Sequence, residues 1–380
     1  MPIKVIHMTH SAERYGIGTF LLSLVGQQKN EGIIVGVGFD KEGEKIDAFR
    51  AVGIPVYCAK ADSARNAGLF FYFRKIFKNF DIIQLHSFSP WAFFAAKSLN
   101  KRIIYTFHGA LGLRKTGMDI FVKWFHRSFL LPGINFVTFA SEASFHRFKK
   151  GFNVDLVKNK YRVFPYGMNI AGIKPEISKA EIRKKFNWDD KFVIGTASRL
   201  DPYKRLELMI EAFSLLPEKN GFRLVVMGAG DETYGQMLEK LCRYKSIAAH
   251  VDFLGYRSDA IDIMAAWDYF VLPTKNEPFG LALLEAMALG VPSAVFAEGG
   301  GLVDIIGASG IIVTSAEELA SSFVTVRNDH EFCERLSRQV KERAKRFDIA
   351  NTSEKYLNLY QSLPSGPADI PDRPNGQNRI

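Results

Sequence analysis

Short apolar runs alternate with helical patterns along most of the chain, and this alternation limits the fold more than any other feature. Residues 3–8 read as a strand, residues 9–18 as a loop containing Gly16 and Gly18, and residues 19–28 as a helix. Strand-length runs recur at 33–37, 54–58, 81–86, 103–107, 136–140 and 162–164, with helical patterns at 67–80, 90–99, 119–131 and 142–150. After a break, strands are expected at 192–198, 223–227, 251–254, 269–272, 292–296 and 311–313. Helices between them are expected at 179–186, 204–216, 234–244, 260–267 and 281–289, with further ones after Ser315. Strands separated by helical crossovers pair in parallel, because only a long connection returns the chain to the same end of the sheet. Such strands are covered on both faces and read as apolar runs rather than alternating ones.

The 380 residues suit two domains of ordinary size. Pro165-Tyr166-Gly167-Met168-Asn169 punctuates the pattern, and the charge balance changes nearby. A Rossmann-like first domain is expected over 1–168 and a second over 169–350, followed by a helix within 351–363. The tail 364–380 is rich in Pro, Gly, Asp and Asn and is expected to be disordered. Residues 1–170 hold 24 Lys and Arg against 11 Asp and Glu, whereas residues 171–380 hold 26 against 29. The whole excess of the net charge of +10 therefore lies in the first half, which suits an anionic partner such as a membrane surface, nucleic acid or a phosphorylated substrate.

Three cysteines, Cys58, Cys242 and Cys333, are far apart and odd in number. They fit neither a disulfide framework nor a metal spacing, so a reducing, cytoplasmic setting is expected. The first residues lack the long apolar core of a signal peptide, and no apolar run spans a bilayer. Two stretches of the basic half, 68–78 and 120–129, mix bulky aromatics with Lys and Arg. Each reads either as a core-facing helix with a basic outer side or as a helix lying in a membrane interface. The second reading would make the protein peripheral on the inner face of the cytoplasmic membrane.

The chemistry concentrates in residues 275–290. Glu277 sits in a turn marked by Pro278 and Gly280, and Glu285 is the one polar residue within 281–289. A carboxylate on an otherwise apolar helix is costly unless something pairs with it. A helix start after a flexible glycine presents main-chain N–H groups suited to an anion. Arg199 and Lys204 flank Leu200-Asp201-Pro202-Tyr203 just past a strand, where two cations can clamp a diphosphate. His108-Gly109 likewise follows a strand, at the end of a parallel sheet where ligands bind. His86 reads as structural, and His7 and His10 carry no assignment. Gly16 and Gly18 lack the third glycine of a dinucleotide fingerprint, which argues against an oxidoreductase. No Asp-x-Asp triplet or His/Cys/carboxylate cluster has metal-ligand spacing, so no metal and no cofactor are expected.

The Arg-x4-Lys pair after "GTASRL", with "VVMGAGDE", "FLGYRSD" and "EPFGLALLEAMALGVP", resembles the retaining glycosyltransferases of family four. The resemblance covers the second half nearly throughout and is looser in the first, at the Gly16/Gly18 loop, "DIIQLHS", "TFHG" and the linker-like "VFPYGMN". It implies the GT-B fold, an α/β architecture of two Rossmann-like domains facing across a cleft with a C-terminal helix crossing back to the first. It also implies roles residue by residue. Arg199 and Lys204 would neutralise the donor diphosphate, and the loop at Gly228 would lie by the nucleotide. The turn at Pro278, Phe279, Gly280 and Leu281 would meet phosphate and sugar. Glu277 would hold hydroxyls of the donor sugar and Glu285 those of the ribose. Tyr256 and Arg257 would lie near the base and His108 beside the transferred sugar, while Gly16 and Gly18 would let the first domain approach donor and acceptor.

The expected activity is hexosyl transfer from a nucleotide-diphosphate sugar to a glycan or lipid-linked acceptor, with retention of configuration and without a metal. Surface polysaccharide or lipopolysaccharide synthesis is the expected setting, and nucleic acid is not an expected partner. A nucleotide-sugar epimerase or hydrolase, or a non-catalytic nucleotide-sugar sensor, would share the fold. Relatives usually carry Gly-Gly-x-x-Glu where this chain has Gly300-Gly301-Leu302-Val303-Asp304, a departure that touches sugar specificity.

Overall fold

A computed structural model describes residues 2–12, 16–60, 66–109, 117–156 and 160–364. The expected disordered tail lies outside the described residues, apart from Pro364. The chain divides into two compact units, one of residues 1–168 together with the C-terminal segment from Ile349, the other Asn169–Asp348.

The first unit is built on seven parallel strands: β1 Lys4–Ser11, β2 Ile34–Lys41, β3 Val56–Cys58, β4 Ile82–Leu85, β5 Arg102–Phe107, β6 Phe136–Phe139 and β7 Tyr161–Val163. Their order in the sheet is β3-β2-β1-β4-β5-β6-β7. The order reverses between β1 and β4, which makes the carboxyl ends of those strands the topological switch point. One face of this sheet is strongly aromatic. Phe107 and Phe139 meet Phe73 and Phe77 of the helix Gly68–Phe77, Phe93 of Pro90–Ser98 and Phe148 of Glu142–Phe152, all in one cluster. Each such ring contributes about 1.5–3 kcal/mol by leaving water.

The opposite face carries a polar row. His7 on β1 pairs in register with Gln84 on β4, and Ile104 and Thr106 follow in line on β5, with Thr138 opposite Thr106 on β6. His7, Gln84, Thr106 and Thr138 are all buried. Their cover is the helix Gly16–Asn30 and the C-terminal helix Ile349–Ser362, which supply Gln28, Tyr356 and Tyr360. Tyr360 donates to Gln84 and accepts from Gln28 Nε2 at 3.1 Å, while Tyr356 meets Thr138 at 3.1 Å. Ser353 donates to Glu31 at 2.6 Å, and Thr352 to the Pro165 carbonyl at 3.0 Å. The last helix is thus held by hydrogen bonds as well as by burial, and each unmade bond would leave a costly buried group.

Two readings of the first half change. The helix expected from residue 19 begins at Gly16, so Gly16 and Gly18 occupy its first turn rather than a loop. The helix expected over 119–131 is interrupted. Gly117–Phe125 passes through a π turn, His126–Leu130, before Leu131–Gly133. Pro132 has no N–H to continue a regular helix, and His126 Nδ1 bonds the Val122 carbonyl at 2.7 Å.

The second unit holds six parallel strands: β8 Phe192–Ala197, β9 Phe222–Met227, β10 Val251–Gly255, β11 Tyr269–Leu272, β12 Ser293–Phe296 and β13 Ile311–Val313. The order is β10-β9-β8-β11-β12-β13, with the reversal between β8 and β11. The helix Lys179–Phe186 shows why the sequence set its bounds. Ser178 and Glu181 form a reciprocal capping box, and Asn187 leaves in the left-handed conformation. Two short helices not marked in the sequence, Ile46–Ala51 and Gly301–Ile306, complete the connections.

Candidate functional site

In the second unit the proposed residues gather where the strand order reverses. β8 ends at Ala197, and Arg199 and Lys204 follow it; β11 ends at Leu272, and Glu277 follows that. The segment after β8 is not yet helical. Asp201 caps a single 3₁₀ turn, Pro202–Lys204, by accepting from the Tyr203 N–H at 2.9 Å. Arg205 then turns in the left-handed region at φ 57°, and the helix starts only at Glu207, not at Lys204 as expected. This delay keeps Lys204 on the loop. The Gly228 loop packs against the same segment, because Gly228 has φ 138° and a Cβ there would lie 1.8 Å from the Ser198 carbonyl oxygen. Gly228 therefore has a packing reason for being glycine.

After β11 the chain forms a short parallel bridge between Glu277 and Gly300, with Glu277 N–H donating to the Gly299 carbonyl at 2.9 Å. Gly280 follows at φ 113°, and a Cβ there would lie 2.2 Å from Leu302 Cδ2. Only glycine makes this turn, and the first N–H groups of Leu281–Ala288 that follow it point along the axis out of the helix N-terminus. Phe279 is buried with its ring edge-on to Phe347 at 5.9 Å, so its side chain anchors the turn.

The two loops are joined. Lys204 Nζ donates to Glu277 Oε2 at 2.6 Å, with the side chains 13% and 15% exposed. Tyr203 donates its hydroxyl proton to the Asn276 carbonyl at 2.6 Å. Beside them Glu298 accepts from Lys275 at 2.5 Å and also from Arg205. Those bonds, Lys275 first, hold the Glu298 carboxyl below its ordinary range. The sequence separates Lys204 and Glu277 into two roles; the structure makes them an ion pair. Arg199 is more exposed, 3.8 Å from Asp201. Sequence reasoning missed Arg205, Lys275 and Glu298. Arg205 and Glu298 lie 93 residues apart, and nothing local signals their pairing.

Glu285 is half-buried. It shares a stripe with the half-buried Leu281, Ala282 and Leu289, while Leu283, Leu284, Ala286 and Met287 face inward. Tyr256 is exposed at the end of β10, two strands from β8. Arg257 is forked onto Asp259 at 2.7 and 2.6 Å, and that bond raises its pKa. Its guanidinium is thus engaged in closing its own turn. Among the described residues no three His, Cys, Asp or Glu side chains gather as a metal site.

In the first unit His108 follows β5 and is buried, with the Phe20 ring of the first helix edge-on at 6.4 Å. Its Nε2 lies 2.9 Å from His86 Nδ1, and its Nδ1 meets the Tyr166 hydroxyl. Burial pushes the His108 pKa down to about 3 and that of His7 down to about 4. Burial also lowers His86, with His108 and His7 as further causes. At neutral pH all three rings are uncharged, so His108 offers hydrogen bonds rather than a positive charge.

The sequence pattern of the glycosyl transferases group 1 matches residues 178–343, and that of glycosyltransferase family 4 matches residues 15–171. A D-inositol 3-phosphate glycosyltransferase of Stackebrandtia nassauensis is 29% identical over 228 residues, 54% of this chain and 51% of that protein. A GDP-mannose-dependent monoacylated alpha-(1-6)-phosphatidylinositol monomannoside mannosyltransferase of Corynebacterium glutamicum is 27% identical over 197 residues, 48% of this chain and 50% of that protein. The chain thus spans about half the length of these curated relatives. Among solved structures, Anabaena Alr3699/HepE in complex with UDP and glucose superposes with a TM-score of 0.80 at 21% identity, over 95% of this chain and 100% of that one. A Rickettsia africae glycosyltransferase gives 0.81 at 18% identity, over 95% and 98%. With its two all-parallel Rossmann-like sheets, this chain has the GT-B fold and belongs to glycosyltransferase family 4.

Proposed function

We propose that the protein transfers a hexosyl group from a nucleotide-diphosphate sugar to a hydroxyl of a glycan or lipid-linked acceptor, with retention of configuration. The observation that carries this reading is the Lys204–Glu277 pair at the reversal of the second sheet, beside the helix start at Gly280. Breaking the bond between the anomeric carbon and the diphosphate puts negative charge on the leaving phosphate and positive charge on the sugar ring. Lys204, Arg199 and the first N–H groups of Leu281–Ala288 stabilise the phosphate. Glu277 accepts from the sugar hydroxyls and favours the cationic ring. The leaving phosphate takes the proton of the acceptor hydroxyl as the new bond forms on the same face.

In the ligand-free protein Lys204 and Glu277 satisfy each other, so neither is a bare charge before the donor arrives. Donor binding exchanges that bond for one to phosphate and one to the sugar. Glu285, on the half-buried stripe of the same helix, takes the ribose hydroxyls. The HepE complex with UDP and glucose supports a uridine donor, and the mannosyltransferase named for GDP-mannose supports a guanosine one. A panel of UDP-, GDP- and ADP-sugars with glycan and lipid-extract acceptors, read by mass spectrometry, tests the reading. Release of a nucleoside diphosphate with a mass gain of one hexose on an acceptor is expected. Donor cleavage to free sugar alone would indicate a hydrolase, and tight donor binding without turnover a sensor.

The acceptor side includes an anionic membrane surface. Ile120, Phe121, Trp124 and Phe129 are exposed together with Phe94, and Trp124 contacts both Phe121 and Phe129. Lys123 and Arg127 lie on the same helical stretch. The other aromatic helix, Gly68–Phe77, buries Leu69, Phe73, Ile76 and Phe77 and leaves Phe71 outside, so it serves the core. Among the described residues no helix is long and apolar enough to cross a membrane. Co-sedimentation with vesicles of neutral and anionic lipid tests this partner. Binding that rises with anionic lipid, falls with salt and weakens in Trp124→Ser is expected, and binding indifferent to lipid charge would remove it.

A further inference from the structure

Three histidines form one file through the first unit. His7 Nε2 lies 2.8 Å from Gln28 Oε1, His7 Nδ1 lies 2.9 Å from His86 Nε2, and His86 Nδ1 lies 2.9 Å from His108 Nε2. The remaining nitrogen of His108, Nδ1, meets the Tyr166 hydroxyl. His7 and His86 are 0% and 3% exposed, so these bonds have no water to replace them. At the far end Gln28 Nε2 donates to Tyr360, which donates to Gln84; Gln84 Nε2 donates to Thr106 at 2.8 Å.

A neutral imidazole has one donor and one acceptor nitrogen. Each link between two rings therefore dictates the next. The Gln28 carbonyl oxygen faces His7, so His7 carries its proton on Nε2 and accepts at Nδ1. His86 must then donate from Nε2 and accept at Nδ1, and His108 must donate from Nε2. His108 Nδ1 is left as an acceptor, and the Tyr166 O–H fills it.

We propose that His7 and His86 are positioning residues that fix the proton of His108 on Nε2, so that its Nδ1 accepts a hydroxyl of the bound carbohydrate in exchange for that of Tyr166. The carbohydrate part of this inference rests on the proposed transferase reading; the tautomer part does not. Tyr166 is stacked on Phe20 at 4.2 Å and holds the place that a substrate hydroxyl takes. A ring free to change tautomer would present Nδ1–H part of the time, and the hydroxyl would then have to turn round and accept instead of donate. The lowered pKa values of all three rings agree with a file that stays neutral.

The test is long-range ¹H–¹⁵N correlation spectroscopy of the full chain labelled with ¹⁵N-histidine at pH 7, without added ligand. His7, His86 and His108 are expected as pure Nε2–H tautomers. A pure Nδ1–H form or an averaged signal at His108 would overturn the proposal, and this needs no variant to fold. His7→Phe removes the acceptor two rings away from His108 while keeping a flat aromatic ring. It is expected to turn the His108 signal into a tautomer average and to lower kcat on the order of tenfold, with the donor KM within about twofold of wild type. His7→Gln, which keeps a donor and an acceptor, is expected to restore most of the turnover. An unchanged His108 tautomer in folded His7→Phe would refute the relay. If no donor is turned over by the wild type, the transferase reading fails while the tautomer result still stands or falls by itself.

Discussion

The Lys204–Glu277 pair makes a quantitative prediction. Its N–O distance is 2.6 Å, and about six-sevenths of each side chain is out of water (13% and 15% exposed). A hydrogen bond to a charged group contributes about 1.5–3 kcal/mol, and removing one partner of a fully buried pair costs about 3–5 kcal/mol. The residual exposure here lowers the upper figure. Lys204→Met and Glu277→Gln should therefore each destabilise the second unit by about 2–3 kcal/mol. The double variant should lose no more than either alone, a coupling of about 2 kcal/mol. Urea unfolding can isolate the second unit through tryptophan fluorescence. Trp188 and Trp267 are fully buried there, so a Trp91→Phe, Trp124→Phe background leaves only their signal. Losses that add to within about 0.5 kcal/mol would refute the pairing, because residues that do not interact add. Both single variants should also lose turnover with whichever donor the wild type uses.

Other predictions follow from the same geometry. His7, His86, His108 and His126 all have pKa values lowered by burial, to about 4 for His7 and His126 and to about 3 for His108. As pH falls below 6.5 the unfolded chain takes up protons that the folded one refuses, so stability of the first unit should drop by about 1.4 kcal/mol per pH unit for each such ring. Urea midpoints that stay level between pH 6.5 and pH 4.5 would contradict this. Gly228→Ala should destabilise the second unit by about 2 kcal/mol or more, since its Cβ would strike the Ser198 carbonyl at an unfavourable φ; a melting curve checks it. Tyr360→Phe strips buried Gln28 and Gln84 of a shared partner and should cost the first unit about 2 kcal/mol, readable by chemical denaturation.

The layout of strands and helices was largely legible because parallel strands leave a local mark. Tyr269–Leu272 and Ile311–Val313 are short apolar runs with turn residues on both sides. Lys179–Phe186 announces itself through Ser178, Glu181 and Asn187. The short Gly301–Ile306 helix has no side-chain cap and follows a run of glycines, so nothing local marks it. The helix after Arg199 was read too early because a 3₁₀ turn and a left-handed Arg205 carry no apolar period. The polar face of the first sheet was illegible for another reason. His7 finds His86 79 residues on, and Gln28 finds Tyr360 332 residues on, so a histidine on an apolar strand gave no hint of its neighbours.

The position of the proposed site residues along the chain was legible, their connections less so. Arg199, Lys204, Glu277 and Gly280 stand together at the strand reversal, as position after a strand suggested. Glu285 could be read from sequence either as a carboxylate at the edge of an apolar helix or as one paired with a ligand, and it sits on the half-buried stripe. The aromatic stretches 68–78 and 120–129 look alike as sequence. Only packing separates them, since Phe73 and Phe77 of the first enter the core while Phe121 and Trp124 of the second stay exposed.

The measurement closest to the central claim is a crystal structure of the protein with a nucleoside diphosphate or an unreactive nucleotide sugar. The diphosphate is expected within hydrogen-bond distance of Lys204 Nζ and of the first main-chain N–H groups after Gly280, the ribose on Glu285, and the Lys204–Glu277 bond opened. A diphosphate bound away from the β8–β11 reversal, with Lys204 still on Glu277, would contradict it.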